Sequence, residues 1–350
     1  MISPALTRIE PIFVPRIWGA RSLAPFYPEK SNLHEPIGEA WLTSVDCRCV
    51  TGPFSGRSLR ESWSEMRTLW RGTRLKSKPD FPLLLKFIFP RDWLSIQVHP
   101  DDAYASVYEK TAGGRGKTEM WHVVSAQSGA QVLVGLKAGV NKENFLKGIS
   151  TNTLENLLQP HPVRTGDTLF VPAGTPHTIG PGMVICEVQQ YSDLTYRIYD
   201  YGRVDAQGRA RELHVEKALE IMNFGTFAGG KTSALRLPNE KVHRYLLVAC
   251  KYFAAERWEC TKPAEVYTNG EWFQLIVVLS GSGEFRGPSG TANYRSGETW
   301  FVPAALGSPQ FTPNESTTLL LVYVPDLADL KNNLLEVGFE EKSLSGVIFE

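Results

Sequence analysis

One stretch of ten residues occurs twice in this chain. Arg164-Thr165-Gly166-Asp167-Thr168-Leu169-Phe170-Val171-Pro172-Ala173 returns as Arg295-Ser296-Gly297-Glu298-Thr299-Trp300-Phe301-Val302-Pro303-Ala304, with seven of the ten positions identical. Self-similarity of this kind predicts two copies of one supersecondary unit. Each copy reads as a turn with an acidic residue after glycine, then a short apolar strand, then a proline that ends pairing. That is the punctuation of a small antiparallel barrel. Strand-like runs at 83–89, 93–99, 119–125, 131–136, 183–190, 274–279 and 318–324 are short and regularly spaced. Such spacing predicts all-β packing rather than a parallel sheet with crossover helices. Helical periodicity is confined to 58–71, which opens on the capping-box pattern Ser58-Leu59-Arg60-Glu61, and to 142–158 and 214–222. These helices are expected to cover barrel mouths, with their aromatic residues in the core. The glycine-rich stretch 223–233 marks a junction, dividing the chain into 1–223 and 224–350.

The two copies part company just after their shared alanine. The first continues Gly174-Thr175-Pro176-His177, the second Ala305-Leu306-Gly307-Ser308-Pro309, without histidine. His177 belongs with Gln97 and His99 in Ser95-Ile96-Gln97-Val98-His99-Pro100 and with Glu119 in Lys117-Thr118-Glu119-Met120-Trp121. An amide oxygen, two imidazoles and a carboxylate suit a borderline divalent metal such as zinc. Strand alternation puts Ser95, Gln97 and His99 on one face and Leu94, Ile96 and Val98 on the other, and makes Lys117, Glu119 and Trp121 co-facial. Taken alone, either histidine reads as a hydrogen-bonded core residue. Inward positions given to Ser, Gln, His, Lys and Glu together carry a heavy desolvation cost unless a cation or a wet pocket satisfies them. A metal is therefore expected in the first unit and none in the second. His34, His122, His161, His214 and His243 are read as surface or packing residues.

Charge and cysteine content narrow the alternatives. Lys plus Arg and Asp plus Glu both total 37 of 350 residues, so no global basic field recruits nucleic acid, and an anionic ligand must be caught by a local cluster. Five cysteines without a CxxC pair, in a chain this long, read as reduced thiols. Proline breaks residues 1–16, no secretory signal is evident, and no run approaches a membrane span, so the expected location is the cytoplasm.

Several runs together resemble one known family. Arg16-Ile17-Trp18-Gly19, Ile37-Gly38-Glu39-Ala40-Trp41, Pro82-Leu83-Leu84-Leu85-Lys86-Phe87, the segments holding Gln97, His99, Glu119 and His177, and Ser192-Asp193-Leu194-Thr195-Tyr196-Arg197 are similar to type I mannose-6-phosphate isomerase in its short bacterial form. The resemblance implies a mainly β fold of two cupin (jelly-roll) barrels with a few covering helices, the first barrel metal-binding and the second cupin-like without a metal site. It implies one Zn2+ per chain on Gln97, His99, Glu119 and His177. It points to Arg197 and Lys117 as catalytic, and to Lys86, Ser95, Asp193 and Trp18 as contacts to a small sugar phosphate. Residues 178–182 depart from the pattern of some relatives, so sugar contacts there do not carry over. No nucleic acid or membrane partner is implied, and oligomeric state is left open.

The reaction so implied is aldose to ketose isomerisation between mannose 6-phosphate and fructose 6-phosphate, through a cis-enediol. Two candidates for the base stand side by side: Lys117, with a pKa lowered by burial and the metal, and a zinc-bound water or hydroxide. Asp193 is expected to share a face with Arg197 and to orient it, so that the guanidinium stabilises the enediolate or binds phosphate. The rival readings are an iron-dependent cupin dioxygenase, a non-enzymatic sugar-binding bicupin, and an isomerase for a different sugar.

Overall fold

Alternate residues of the central strands enter different cores, and this alternation organises the molecule. In the strand Leu83–Ile88, Leu83, Leu85 and Phe87 join one apolar cluster and Ile88 another; in Glu119–Ala126, Met120 parts from Trp121 and Val123; in Met183–Gln190, Cys186 and Val188 part from Met183 and Ile185. A sheet apolar on both faces must be covered on both. The computed structural model, which describes residues 2–205, 207–225, 229–239, 241–288 and 290–350, shows how that is done.

The doubly covered sheet has seven strands, in the order Gly230–Lys231, Thr168–Val171, Glu119–Ala126, Met183–Gln190, Leu83–Ile88, Ile37–Trp41 and Ile12–Ala20, with every pair antiparallel. One face packs on a five-stranded sheet ordered Tyr196–Tyr199, Ile96–Val98, His177–Ile179, Gln131–Leu136 and Leu158–Pro162. The other face packs on an eight-stranded sheet through a large core in which Phe81, Phe273 and Phe301 stack. The far side of the eight-stranded sheet closes on a four-stranded one over a core holding Trp258, Phe285, Trp300 and Phe311. The fold is therefore mainly β, in four stacked sheets with seven α-helices among the described residues.

The two copies of the repeat hold equivalent places. Gly166 and Gly297 both take positive φ, 91° and 86°. Gly166 and Asp167 exchange backbone hydrogen bonds with Val123, as Gly297 and Glu298 do with Val278, and the strands Thr168–Val171 and Thr299–Val302 follow. Each half of the chain also lends a strand to the other's sheet. Thr7–Ile9 pairs with Thr299–Val302, and Gly230–Lys231 pairs with Thr168–Val171. Residues 226–228 of the expected junction lie outside those described.

The helices depart from expectation in two ways. The run 58–71 opens on the Ser58 and Glu61 capping box as read, but forms two helices, Leu59–Glu65 and Thr68–Arg71. The Arg71 guanidinium takes the Trp63 carbonyl that a continuous helix would give to the Arg67 amide, and lies over the Trp63 ring. The helices Lys142–Ser150 and Val215–Ile221 cover no barrel mouth. They lie on the outer face of the five-stranded sheet, because Ile96, Val98, Leu133 and Ile198 project there and need burial.

Candidate metal centre and active cleft

Register brings the ligand candidates together from three strands and a loop. His177 lies opposite Gln97 in the five-stranded sheet, Gln97 lies opposite Arg197 on its other side, and Glu119 opens the facing strand of the seven-stranded sheet. His99, just past the strand Ile96–Val98, has its ring 4.8 Å from that of His177. One ligand atom from each of His99, Glu119 and His177 lies within 4.8 Å of the others, all three residues buried. The Glu119 carboxylate is 3.6 Å from His99 Nε2 and 3.4 Å from His177 Nε2.

The protonation of this cluster fits a cation. His99 Nδ1 is 2.9 Å from the Leu194 carbonyl and His177 Nδ1 2.9 Å from the Thr175 carbonyl. A carbonyl only accepts, so each Nδ1 carries the proton and each Nε2 turns a lone pair inward. Burial holds both imidazoles neutral, His177 pushed down to about 4 and His99 well below the ordinary value, with the Lys117 charge adding to the effect on each. Neither Glu119 oxygen receives a well-directed hydrogen bond, although the residue is wholly buried and Lys117 Nζ stands 2.8 Å from Oε2. A buried carboxylate whose close cation is Lys117 but which also faces two inward imidazole lone pairs leaves a gap that a metal ion would fill. Gln97 Nε2 is 3.3 Å from His177 Nε2; a half-turn of the amide presents Oε1 instead. The donor set fits zinc.

From this floor a cleft of about 470 Å³ opens to the surface, and Trp18, Lys86, Ser95, Lys117, Asp193 and Arg197 line it together with Gln97. Lys86 is buried, directly opposite Glu187 in the strand register, with Nζ 2.9 Å from Asp193 and 3.7 Å from Glu187. Burial alone would push the Lys86 amine down, but Asp193, Glu39 and Glu187 outweigh it and hold it above its ordinary value. Lys117 behaves alike. With no metal ion in place, Glu119 and Glu187 override burial and raise its pKa. Asp193 is also not the partner of Arg197. The strand begins only at Tyr196, so alternation does not extend to 193; Asp193 turns to Lys86, and Arg197 donates instead to the Glu212 carbonyl.

Four charged residues of the cleft were given no role in the sequence reading: Arg16 and Glu39, which lie in its motifs, and Glu187 and Arg211, which do not. Glu187 is buried, receives the Trp121 indole N–H at 3.2 Å, and is held well above the ordinary carboxylate range, first by burial. Its signal was available, since it interrupts an apolar strand as Lys86 does. Arg16 pairs with Glu39 at 2.9 Å, and Arg211 with Asp200. Arg197 makes no carboxylate contact among the described residues, and its buried Nε has no partner. His214, read as surface or packing, lines the cleft and accepts the Arg197 backbone N–H at 3.2 Å.

The family model "Phosphomannose isomerase type I, catalytic domain" matches residues 6–121. A protein of Streptococcus mutans serotype c named mannose-6-phosphate isomerase is 34% identical over 311 residues, covering 86% of this chain and 95% of its own. A Bacillus subtilis protein of the same name is 34% identical over 309 residues, covering 85% and 93%. The crystal structure of the mannose 6-phosphate isomerase from Bacillus subtilis superposes with a TM-score of 0.82 at 29% identity, over 91% of this chain and 99% of that one.

Proposed function

This chain belongs to the type I phosphomannose isomerase family, and we propose that it is a zinc-dependent enzyme interconverting mannose 6-phosphate and fructose 6-phosphate through a cis-enediol. The observation that carries the metal dependence is the Glu119 carboxylate, buried without a hydrogen bond beside two neutral imidazoles. Gln97, His99, Glu119 and His177 would hold the ion, which supplies Lewis-acid polarisation of the sugar oxygens at C1 and C2.

The remaining work falls to side chains. Isomerisation removes a proton from C2 of the aldose and delivers one to C1, while the hydroxyl proton at C2 is released and the carbonyl oxygen at C1 is protonated. Lys117 and Glu187 both stand in the cleft. Lys117, paired with Glu119, offers an amine that can give or take a proton, and Glu187 has its affinity for a proton raised by burial. Lys86, fixed between Asp193 and Glu187, adds a rigid cation beside them. Arg197, free of carboxylates, has its donors available for an anionic oxygen, with Arg16 and Arg211 as neighbouring positive charges. That cluster suits an anionic group of the substrate, the enediolate oxygen or the phosphate. Trp18 and Ser95 give the sugar an aromatic and a hydroxyl contact. No helix among the described residues is long and apolar enough to cross a membrane, and the five cysteines are buried and unpaired, in keeping with cytoplasmic residence.

The enediol route is tested by running the reaction in heavy water. Proton transfer through a base that exchanges with solvent puts deuterium on C1 of the fructose 6-phosphate formed. Product still wholly free of carbon-bound deuterium after prolonged equilibration of the two sugars would count against it, since a base reached by solvent at any turnover would exchange.

A further inference from the structure

Arg211 reaches the active cleft on the return arm of a hairpin that leaves the strand Tyr196–Tyr199. Val204 bridges Ala210, and the Asp205 carboxylate closes the tip by accepting the Gln207 and Arg209 amides, each at 2.9 Å. Asp200 clamps the base. Its buried carboxylate accepts Arg211 Nε–H on Oδ2 at 2.8 Å, while Oδ1 takes both Arg211 Nη2 and Arg203 Nη2. Burial works against the charge, but the two guanidinium groups outweigh it and hold the Asp200 carboxyl below the ordinary range. A planar guanidinium gripped along Nε and Nη2 has a fixed orientation. Its Nη1 makes no hydrogen bond among the described residues and is left for a ligand.

Register orders Arg197 and Arg211 along the cleft. Arg197 lies opposite Gln97, a ligand candidate, and Tyr199 opposite Ile96, so the strand exits at Asp200 on the side of Ser95, away from His99. The cleft extends the same way, since Leu94, Ser95 and Trp18 line it. An open-chain sugar 6-phosphate carries its phosphate at the far end from C1 and C2, where the metal and Arg197 would act. Charge favours an anion there as well. Arg211, Arg16 and Arg203 all press like charge on Arg197, with Asp200 opposing them, and a dianion relieves that repulsion.

We propose that Arg211 is the residue that takes the substrate's phosphate, and that Asp200 is the positioning residue that aims it. This rests on the sugar-phosphate reading above and divides the arginines by role: Arg197 serves the enediolate, Arg211 the phosphate. A contact made equally in ground and transition states sets KM and spares kcat. The Asp200 carboxylate touches Arg203 and Arg211 but not Arg197, whose backbone N–H and carbonyl pair with His214 and whose guanidinium donates to the Glu212 carbonyl. Loss of the Asp200 charge therefore loosens Arg211 and leaves Arg197 in place.

The test is steady-state kinetics of the zinc-loaded full-length chain on mannose 6-phosphate, with inorganic phosphate as competitor. Arg211→Gln should raise both KM and the inhibition constant of inorganic phosphate by about ten- to a hundredfold, the worth of a charged hydrogen bond, with kcat within about threefold of the parent. Asp200→Asn should raise both constants too, and combining it with Arg211→Gln should add nothing further. Arg211→Lys, which keeps the charge without the fork, should fall between parent and Arg211→Gln. The proposal is overturned if kcat falls while phosphate inhibition is unchanged, which would put Arg211 on the enediolate, or if the two losses simply add, which would separate Asp200 from Arg211. If the parent turns over no mannose 6-phosphate, the isomerase reading fails by itself. Calorimetric titration with inorganic phosphate then decides the proposal: weakened binding in Arg211→Gln upholds it, and unchanged binding overturns it.

Discussion

At the level of single residues, the chemistry rests on a few groups whose roles separate cleanly. Arg197 is not a ligand candidate and makes no carboxylate contact among the described residues, so Arg197→Ala should leave metal content and folding intact while turnover falls by about a hundredfold, as expected for loss of an oxyanion donor; near-parent turnover would exclude the role. His99 is different. Its Nδ1 is committed to the Leu194 carbonyl and its Nε2 faces Glu119, so His99→Ala should lower zinc content and activity together, by elemental analysis and assay. Full zinc occupancy in that variant would remove His99 from the shell. The His99, Glu119 and His177 cluster was legible because Gln, His, Glu and His sit at inward positions with no bland explanation when taken jointly. Glu187 and Arg211 were not picked out. Glu187 could be seen as a charge in an apolar strand, but its place beside Lys86 comes from the pairing of two distant strands, and Arg211 enters from a loop that Asp200 holds in place. Neither pairing is written in local sequence.

At the level of elements, the duplicated turn is the firmest link between sequence and structure, since both copies reproduce the same backbone hydrogen bonds to the neighbouring strand. Their glycines differ in surroundings. A Cβ on Gly166 would meet only the Arg257 guanidinium, at 3.4 Å, whereas one on Gly297 would come within 2.9 Å of the Phe26 carbonyl oxygen. Gly166→Ala should cost about 1–2 kcal/mol for the positive φ alone. Gly297→Ala should cost more, because backbone must shift as well. Chemical denaturation of the two variants decides the point, and equal losses would show that the second turn has room to adjust. The Ser58 capping box was likewise legible, being a local pattern. The helix break after Glu65 was not, because its cause is the Arg71 side chain folding back onto a carbonyl.

At the level of the whole molecule, evenly spaced short strands foretold a mainly β chain, and relatives named mannose-6-phosphate isomerase match it over most of its length. The back-to-back packing of the seven- and eight-stranded sheets was not foretold. A strand buried on both faces reads as a continuous apolar run, which says that both sides are covered without saying by what. The consequence for function is positional. The core between the two large sheets anchors the strands carrying Lys86, Glu119 and Glu187 on one face, while the five-stranded sheet presents Gln97, His177 and Arg197 to them from the other. The central claim is that this junction holds a zinc ion that the isomerase reaction requires. The most direct measurement is a coupled assay on mannose 6-phosphate with the protein as purified, after chelation, and after zinc is restored. Activity should vanish with the chelator and return with zinc; undiminished turnover in protein shown by elemental analysis to be free of metal would contradict the account.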